Sequence, residues 1–484
     1  FMKNFIFFLF LFVNINLYSQ SNNSIELDLA QCLEIALENN LQLKRSEINK
    51  KIQKIGYDQS ILSQIPSLNI FSNYGTSWGR SIDPTTNQFI GSEYSSSGIG
   101  LSSGMTLFSG FSVRNTIKQS KVLLEKSVFD LENTRKNVML SVVSSYLSVL
   151  LTMDRLENAK FQLLSTQEQF SRTSKLVEAG SLPIINRLNL EAQIAGDELS
   201  LIQQENAYRL SILQLKQIML LETDKEVIIS KPLVEISPSI VIQSNTNDIY
   251  NKAIDVLPEL KSAIKNVESS KYDLRIARSG RFPTINVSSN FNTNYSSYAN
   301  RPRQFYDGGF TLQPMTVGYL TNDPIETVSA LSPVPNVIGS DNDFTLVEQW
   351  KDYLSKSLSF SISFPIFNRH QTSSNIKRSK LNKQIADINV LEAKNQIRQT
   401  IETSYNDAIA ASKSYSASLK QVQALEESFR IIKSQYNFGA INFTEYQVSN
   451  NNLVKAKNDL LSSKYDYIFK LKVLDFYQGK TLTF

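Results

Sequence analysis

Histidine and cysteine, the side chains that most often carry acid–base, nucleophilic and metal chemistry, occur once each, as His370 and Cys32. A single histidine rules out a multi-histidine metal cluster and leaves little from which to assemble a catalytic triad. A single cysteine excludes an intrachain disulfide. The paired acids Glu26/Asp28 and Glu426/Glu427 supply carboxylates, but neighbouring acids on a helix mark a solvated face. No phosphate loop, activated nucleophile or metal-ligand spacing accompanies them. The chain is expected to be no enzyme and to use no metal or cofactor, so its function must come from architecture.

That architecture is duplicated. Leu107 to Leu215, shifted by 259 residues, falls on Ile366 to Leu474 without a gap. Ile117, Lys118, Ser120 and Lys121 meet Ile376, Lys377, Ser379 and Lys380; Ser145 and Tyr146 meet Ser404 and Tyr405; Gly180 meets Gly439; Tyr208 meets Tyr467. An ungapped register of that length implies rigid, continuous elements, because insertions collect in loops. Each copy reads as a long helix, a tight turn at the glycine and a returning helix.

The 484 residues carry 50 Lys plus Arg against 45 Asp plus Glu, and no dense basic patch, so nucleic acid is not an expected partner. Lys3, the apolar run Phe5 to Val13 and the polar turn towards Leu17-Tyr18-Ser19-Gln20 read as a secretory signal over residues 1–19, too short to span a membrane. Val138 to Met153 is nearly apolar enough for a span. Its twin, Ile397 to Ser412, carries Arg398, Glu402, Asn406 and Asp407, so both are expected to be helices buried by neighbouring helices.

Asp28 to Ser63 has helical spacing and must stop before Ile65-Pro66, because the residue preceding proline disfavours helix. Strands are expected at about 67–78 and 95–108. The second half repeats this arrangement at an offset of 217, with helix to Gly280, a junction at Phe282-Pro283, and strands at about 284–296 and 353–364. The difference between the two offsets, 42 residues, places an insertion over 299–352, expected as an extended loop at the strand tips. Ile285, Val287, Phe291 and Tyr295 alternate with Asn286, Ser288, Asn290, Asn292 and Asn294; Leu358, Phe360, Ile362 and Phe364 alternate with serines. Such alternation gives one apolar and one polar face. It suits a soluble sandwich packed on another sheet or a membrane barrel with a wet lumen. In a membrane the edges of an open four-stranded sheet must close, and four strands are too few to close alone, so several chains would share one barrel.

From Gly110 to Gly180 a helix would run about 105 Å at 1.5 Å per residue. Tyr415, Val422, Phe429 and Tyr436 recur every seven residues, with Ser418, Leu425 and Ile432 between, and match Leu156, Leu163, Phe170 and Val177, which specifies coiled-coil packing on the returning helix. Gly180 and Gly439 suit the left-handed conformation of a tight reversal, and Pro183 suits the first turn of the next helix.

Taken with Ala36-Leu37-Glu38-Asn39-Asn40-Leu41 and its counterpart Ala253-Ile254 to Leu257-Pro258-Glu259-Leu260, the junctions at Pro66 and Pro283, Leu107-Phe108-Ser109-Gly110, and the tip Tyr436-Asn437-Phe438-Gly439 with its twin at Gly180, the mature chain resembles the outer membrane efflux protein family typified by TolC. The resemblance implies an α+β membrane protein of duplicated TolC-like fold. Four transmembrane β-strands per chain would complete a 12-stranded barrel in a homotrimer, continued by a long α-helical barrel. The first repeat would occupy 20–221, with a long helix over 110–179 and a returning helix over 183–221; a connecting equatorial segment would occupy 222–245. The second repeat would occupy 246–484, with helices over 368–438 and 443–475. The resemblance also implies a place in the outer membrane and periplasm, and an exit duct for efflux or type I secretion served by a periplasmic adaptor and an inner-membrane pump. By the same resemblance, Glu445, six residues after the turn glycine, lines the periplasmic constriction; Asn186 holds the matching position in the first copy, Val448 stands where some members have a second acid, and Tyr436 matches a tyrosine that bonds across neighbouring helices. Gly180, Pro183 and Gly439 would form the hairpin tips that meet the adaptor. The alternative is a periplasmic coiled-coil adaptor of the membrane-fusion kind.

Overall fold

A computed structural model describes residues 25–83, 85, 87, 89–91, 93–222, 224–232, 245–299, 303–320, 323–341 and 344–480. The expected signal segment over 1–19, and residues 233–244 of the expected connecting segment, lie outside the described residues.

In the first half the chain runs β1 (Ile25–Leu27), α1 (Leu29–Asn39), α2 (Leu41–Leu62), β2 (Ser67–Ser77), β3 (Ser81–Ile82), β4 (Phe89–Ile90), β5 (Tyr94–Ser109), α3 (Ser112–Glu178) and α4 (Ile184–Met219). The second half runs β6 (Val227–Ile229), α5 (Thr246–Val256), α6 (Pro258–Ser279), β7 (Thr284–Ser296), β8 (Arg303–Leu320), β9 (Asp323–Asp341), α7 (Leu346–Asp352), β10 (Ser355–Ser363), α8 (Gln371–Asn437) and α9 (Phe443–Tyr477). The repeat is conformational as well as sequential: α3 and α8 are both 67 residues, α1 and α5 both 11, and α2 and α6 both 22.

Two compact units result. One takes the chain up to Ile55, Lys121–Ser269 and everything from Lys383; the other takes Gly56–Ser120 and Ser270–Asn382.

The first unit is a helical body whose core uses the same positions twice. Cys32, Ala36 and Leu43 are buried in the first repeat, and Ile249, Ala253 and Leu260 in the second. Val138, Val142 and Val149 match Ile397, Ile401 and Ala408, again all buried. The membrane-like stretch of α3 therefore fills a protein core, where Val142, Val143, Tyr146 and Leu150 pack with Leu215, Met219, Tyr465 and Ile468. The expected single helix from Asp28 breaks at Asn40, whose side-chain oxygen accepts the backbone amides of Gln42 and Leu43 and so starts a new helix. The second copy breaks at the same place, before Pro258. Parallel pairing of β1 with β6 was not foreseen; three residues are too short for a periodic signal. At the edge of this core Asp154, 6% exposed, accepts from Tyr465 Oη at 2.8 Å and from Lys231 Nζ at 2.5 Å.

The second unit holds an antiparallel sheet in the order β10–β7–β5–β2. The 42-residue insertion is not the extended loop that its Pro, Gly, Asn and Asp content suggests. Its centre, β8 and β9, is an antiparallel ribbon pairing Gln304 with Ser340 and Tyr319 with Thr327, and α7 follows. Pro314, Pro333 and Pro335 lie within the ribbon. Each strand of a two-stranded ribbon is an edge, where a missing amide donor breaks no ladder, so proline-rich sequence is compatible with strand there.

Candidate functional site

Two features stand out: the paired hairpin tips of the helical unit and the open sheet of the other unit.

Each outgoing helix ends in the same left-handed glycine cap. Gly180 has φ +72° and Gly439 φ +74°. The amide of Ser181 donates to Leu176 O at 2.8 Å and that of Gly180 to Val177 O; Ala440 and Gly439 donate likewise to Gln435 O and Tyr436 O. This closes the helix and reverses the chain within a few residues. The returning helices then differ. Pro183 caps α4 without a side-chain bond, whereas Asn442 caps α9 by accepting the Glu445 amide at 2.9 Å and donating its own amide to Glu445 Oε1 at 2.9 Å. Asn186 and Glu445 both occupy the third helical position. Asn186 is half-buried and Glu445 exposed, where the helix N-terminus favours its negative charge.

The tips are joined by a cluster that single-residue reading missed. Leu190 of α4 packs with Phe443 and Tyr446 of α9, flanked by Phe170, Phe429, Ile432 and Tyr436. Four of these, Phe170, Phe429, Ile432 and Tyr436, are heptad residues; Leu190, Phe443 and Tyr446 match Ser449, Ile184 and Arg187 across the repeat, so the duplication did not announce them. Gln447 Nε2 donates to Gln193 Oε1 at 2.6 Å, a second link between the two hairpins. Tyr436 stacks on Tyr446, and its hydroxyl lies buried beside that of Thr173 without a well-formed hydrogen bond in the chain. Burial pushes the Tyr436 phenol above its ordinary value, with Thr173 opposing. Burial does the same to Tyr446, which Tyr436 reinforces and Arg172 opposes. Tyr436, Asn186 and Glu445 thus all belong to the tip region, Tyr436 within the packed cluster and Glu445 pointing to solvent.

Two residues considered for chemistry have structural settings. Cys32 is fully buried in the position that Ile249 fills in the second repeat. His370 is exposed at φ +61° in the turn opening α8, edge-on to Phe367.

In the sheet, Pro66 and Pro283 stop the helices α2 and α6 and release the chain into β2 and β7. The register then sorts the side chains. Ile70, Leu101, Phe291 and Lys356 share one row, and above it on the same face Leu68, Val287, Phe360 and Ile362 continue an apolar surface. The opposite face carries Asn69, Ser102, Asn290 and Ser357 in one row and Asn73, Gly98 and Asn294 in another. Phe71 and, at the start of β5, the buried Tyr94 are the large aromatic side chains there, and the Phe71 ring lies directly over Gly100. Ile70, Leu358, Phe360 and Ile362 are each at least 65% exposed, an apolar face without protein cover. Among the described residues the outer edges of β2 and β10 have no strand partner.

The profile of the outer membrane efflux protein family matches residues 32–219 and 336–479. Solved structures share the fold at low identity. CusC, studied for conformational changes accompanying folding and transmembrane channel formation, is 13% identical with a TM-score of 0.71, over 95% of this chain and 94% of its own. The outer membrane protein VceC from Vibrio cholerae is 13% identical with a TM-score of 0.71, over 94% of this chain and 97% of its own. The outer membrane channel CmeC from Campylobacter jejuni is 16% identical with a TM-score of 0.67, over 94% and 87%. No curated protein of known function matches by sequence. The apolar sheet face has the character of a membrane surface, the helical hairpins are those of a periplasmic extension, and the family match spans most of the chain. The chain belongs to the outer membrane efflux protein family, whose members are outer-membrane channels of TolC-like duplicated α+β fold reaching into the periplasm.

Proposed function

We propose that three copies of this chain close into the exit duct of a tripartite efflux or type I secretion system, receiving substrate from an inner-membrane pump through a periplasmic adaptor. One observation carries the reading: a four-stranded antiparallel sheet with an exposed apolar face, an uncharged polar face and two edges that have no strand partner among the described residues. In lipid every backbone group needs an internal partner, so such a sheet must close. Four strands lie below the smallest membrane barrels of eight, and three copies give twelve. β2 at 11 residues and β7 at 13 have the length of tilted membrane strands.

In this duct the hairpin tips at Gly180, Pro183 and Gly439 face the adaptor. Glu445 from each copy forms a ring of three carboxylates at the periplasmic constriction, with Asn186 the uncharged counterpart. Tyr436 packs in the same tip region, its hydroxyl buried beside that of Thr173. The decisive measurement is outer-membrane fractionation with gels run unboiled and boiled. A trimer-sized species that falls to monomer on boiling is expected; a soluble monomer would overturn the proposal and return the adaptor alternative.

A further inference from the structure

One part of the chain has no role yet in a membrane duct, the β8–β9 ribbon. The family profile resumes only at residue 336, so β8 and β9 as far as Pro335 lie outside it. The ribbon is nonetheless firmly rooted. It leaves the sheet between Ser296, the last residue of β7, and Ser355, the first of β10, at the end of those strands away from α6 and α8. There Gln349, fully buried, accepts the Ser296 amide at 2.9 Å and donates to Ser296 O at 3.1 Å and Phe344 O at 2.9 Å. The two ends of the insertion are thereby clamped together, and Thr293 Oγ1 donates to Trp350 O at 2.8 Å beside them.

Above this root the ribbon bends and changes character. Between the pairs Tyr306–Val337 and Phe310–Pro335, β8 carries three residues against one of β9. Asp307 holds the bulge by accepting from the Gly309 amide at 2.7 Å and from Asn336 Nδ2 at 3.3 Å. Such a bulge re-aims the strands beyond it. In the limb that follows, no charged residue occurs from Gly308 to Leu320 or from Thr327 to Pro335. The pairs Phe310–Pro335, Leu312–Pro333 and Pro314–Leu331 share one face; Thr311–Val334, Gln313–Ser332 and Met315–Ala330 share the other. On the first face Phe310, Leu312 and Leu331 are 66%, 62% and 67% exposed.

The prolines decide how that face is covered. Each stands in a cross-strand pair to which its own nitrogen has no bond to give, so its backbone is turned towards the free edge. The edge of β9 therefore offers no donor at 333 and 335, and that of β8 none at 314. A strand added to either edge would miss those bonds, and proline on an edge protects against such addition. The surface left to cover is an apolar face. An anionic membrane surface would be met by cations, which the limb lacks. The same face of another copy has the matching chemistry and lies within reach. Twelve strands about 4.8 Å apart and tilted by about 40° close into a ring roughly 24 Å across. The 18 residues of β8 extend about 60 Å from such a rim.

We propose that the three ribbons of one channel pack their Phe310, Leu312 and Leu331 faces against one another beyond the barrel. Three equivalent ribbons in mutual contact surround the threefold axis, which is also the axis of the pore, so the assembly stands over the outlet. The inference rests on the trimeric reading above and adds to it a second interface, outside the membrane.

The test uses the full-length protein in outer-membrane vesicles and a short bismaleimide, with Cys32 left in place because it is fully buried. L312C puts a thiol on the apolar face and Q313C puts one on the opposite face. L312C should give a covalent dimer on boiled gels that still runs at trimer size unboiled. With one cysteine in each of three copies, about two-thirds of the chain should shift. Q313C should give no adduct. As a second measurement, joining Phe305 to Gly339 through Asn-Gly removes the limb and keeps the root, and single-channel conductance should rise. An intact trimer without the L312C adduct, as a lipid or a foreign protein on this face would leave it, overturns the ribbon contact while the channel reading stands. Equal linking through Q313C, an adduct larger than a trimer on the unboiled gel, or unchanged conductance of the shortened variant does the same. A monomeric wild-type chain overturns both.

Discussion

Tyr436 and Tyr446 stack with ring centroids 4.8 Å apart and planes 22° from parallel, pinning the end of α8 to the start of α9. Phe443 and Phe429 close the cluster edge-on and tilted, at 6.0 and 5.5 Å. Replacing Tyr446 with Ala removes the ring at the centre of this cluster, a loss of about 3–5 kcal/mol for a buried aromatic. Hydrogen exchange should show faster opening at residues 170–190 and 429–447, with the core around Val142 unchanged. Tyr436→Phe keeps the stack and removes only a hydroxyl that has no well-formed bond in the chain, so thermal stability of the isolated chain should change by less than about 1 kcal/mol. Thermal denaturation of the variant beside the wild type reads that difference.

Glu445 is held by Asn442 on both sides, through its own amide and through its carboxylate. Glu445→Gln preserves the hydrogen-bonding shape and removes the charge. The fold should be unaffected, because an exposed charge at a helix start contributes about 0.3–1 kcal/mol. Cation selectivity in planar bilayers and block by multivalent cations should both weaken. Unchanged selectivity and block would remove Glu445 from the pore.

Gly180 and Gly439 have open space where a Cβ would stand, so their cost to substitution is conformational alone. Alanine at either should destabilise its hairpin by about 1–2 kcal/mol through the left-handed backbone. Gly196 also faces open space but lies inside α4 at an ordinary helical φ, so Gly196→Ala should stabilise by about 1 kcal/mol. Thermal denaturation of the three variants side by side reads the difference in sign.

Alkaline stability follows from the core around α1. Burial, aided by Asp28, pushes the Cys32 thiol from an ordinary 9.0 up to about 12. Burial raises Tyr146 from 10.0 to about 12, with the bond to Ser230 opposing and Cys32 and Asp28 reinforcing. Both groups hold their protons more tightly when folded, so their stabilising contribution is complete below pH 9 and is lost as pH rises towards 12. Melting temperature should fall with pH above 9, and Cys32→Ala should flatten the first part of that fall. A wild-type slope identical to that of the variant would show that the thiol is not involved.

The duplicated α+β fold was legible because its signals are long and redundant. Two copies of one pattern, a glycine at each reversal and strict alternation in β7 and β10 all agree. Cys32 became interpretable only beside Ile249, since a lone cysteine carries no information about its surroundings. The β8–β9 ribbon was misread because prolines that would break an inner strand are tolerated in a ribbon that has only edges. The tip cluster was half visible: Phe170, Phe429, Ile432 and Tyr436 follow the heptad, whereas Leu190, Phe443 and Tyr446 sit on returning helices whose inward face depends on how the two hairpins approach each other. The link between Asp154, Lys231 and Tyr465 joins segments far apart in the chain, and no local pattern announces it.

The pairing of β5 with β7 has a kinetic consequence. It joins the two repeats through residues such as Thr106 and Asn286, whose side chains bond at 2.9 Å across a separation of 180 in the sequence. The β2–β5 pair is available as soon as the first repeat exists, but its inner edge stays bare until both long helices of that repeat, the connector and α6 have followed. Distant pairings of this kind are slow to form, because the entropy of closing the intervening chain must be overcome before any contact rewards it. The newly exported polypeptide therefore passes through a stage in which an apolar half-sheet with an open ladder meets the periplasm, and a chaperone that shields strand edges would act on that species rather than on the finished protomer.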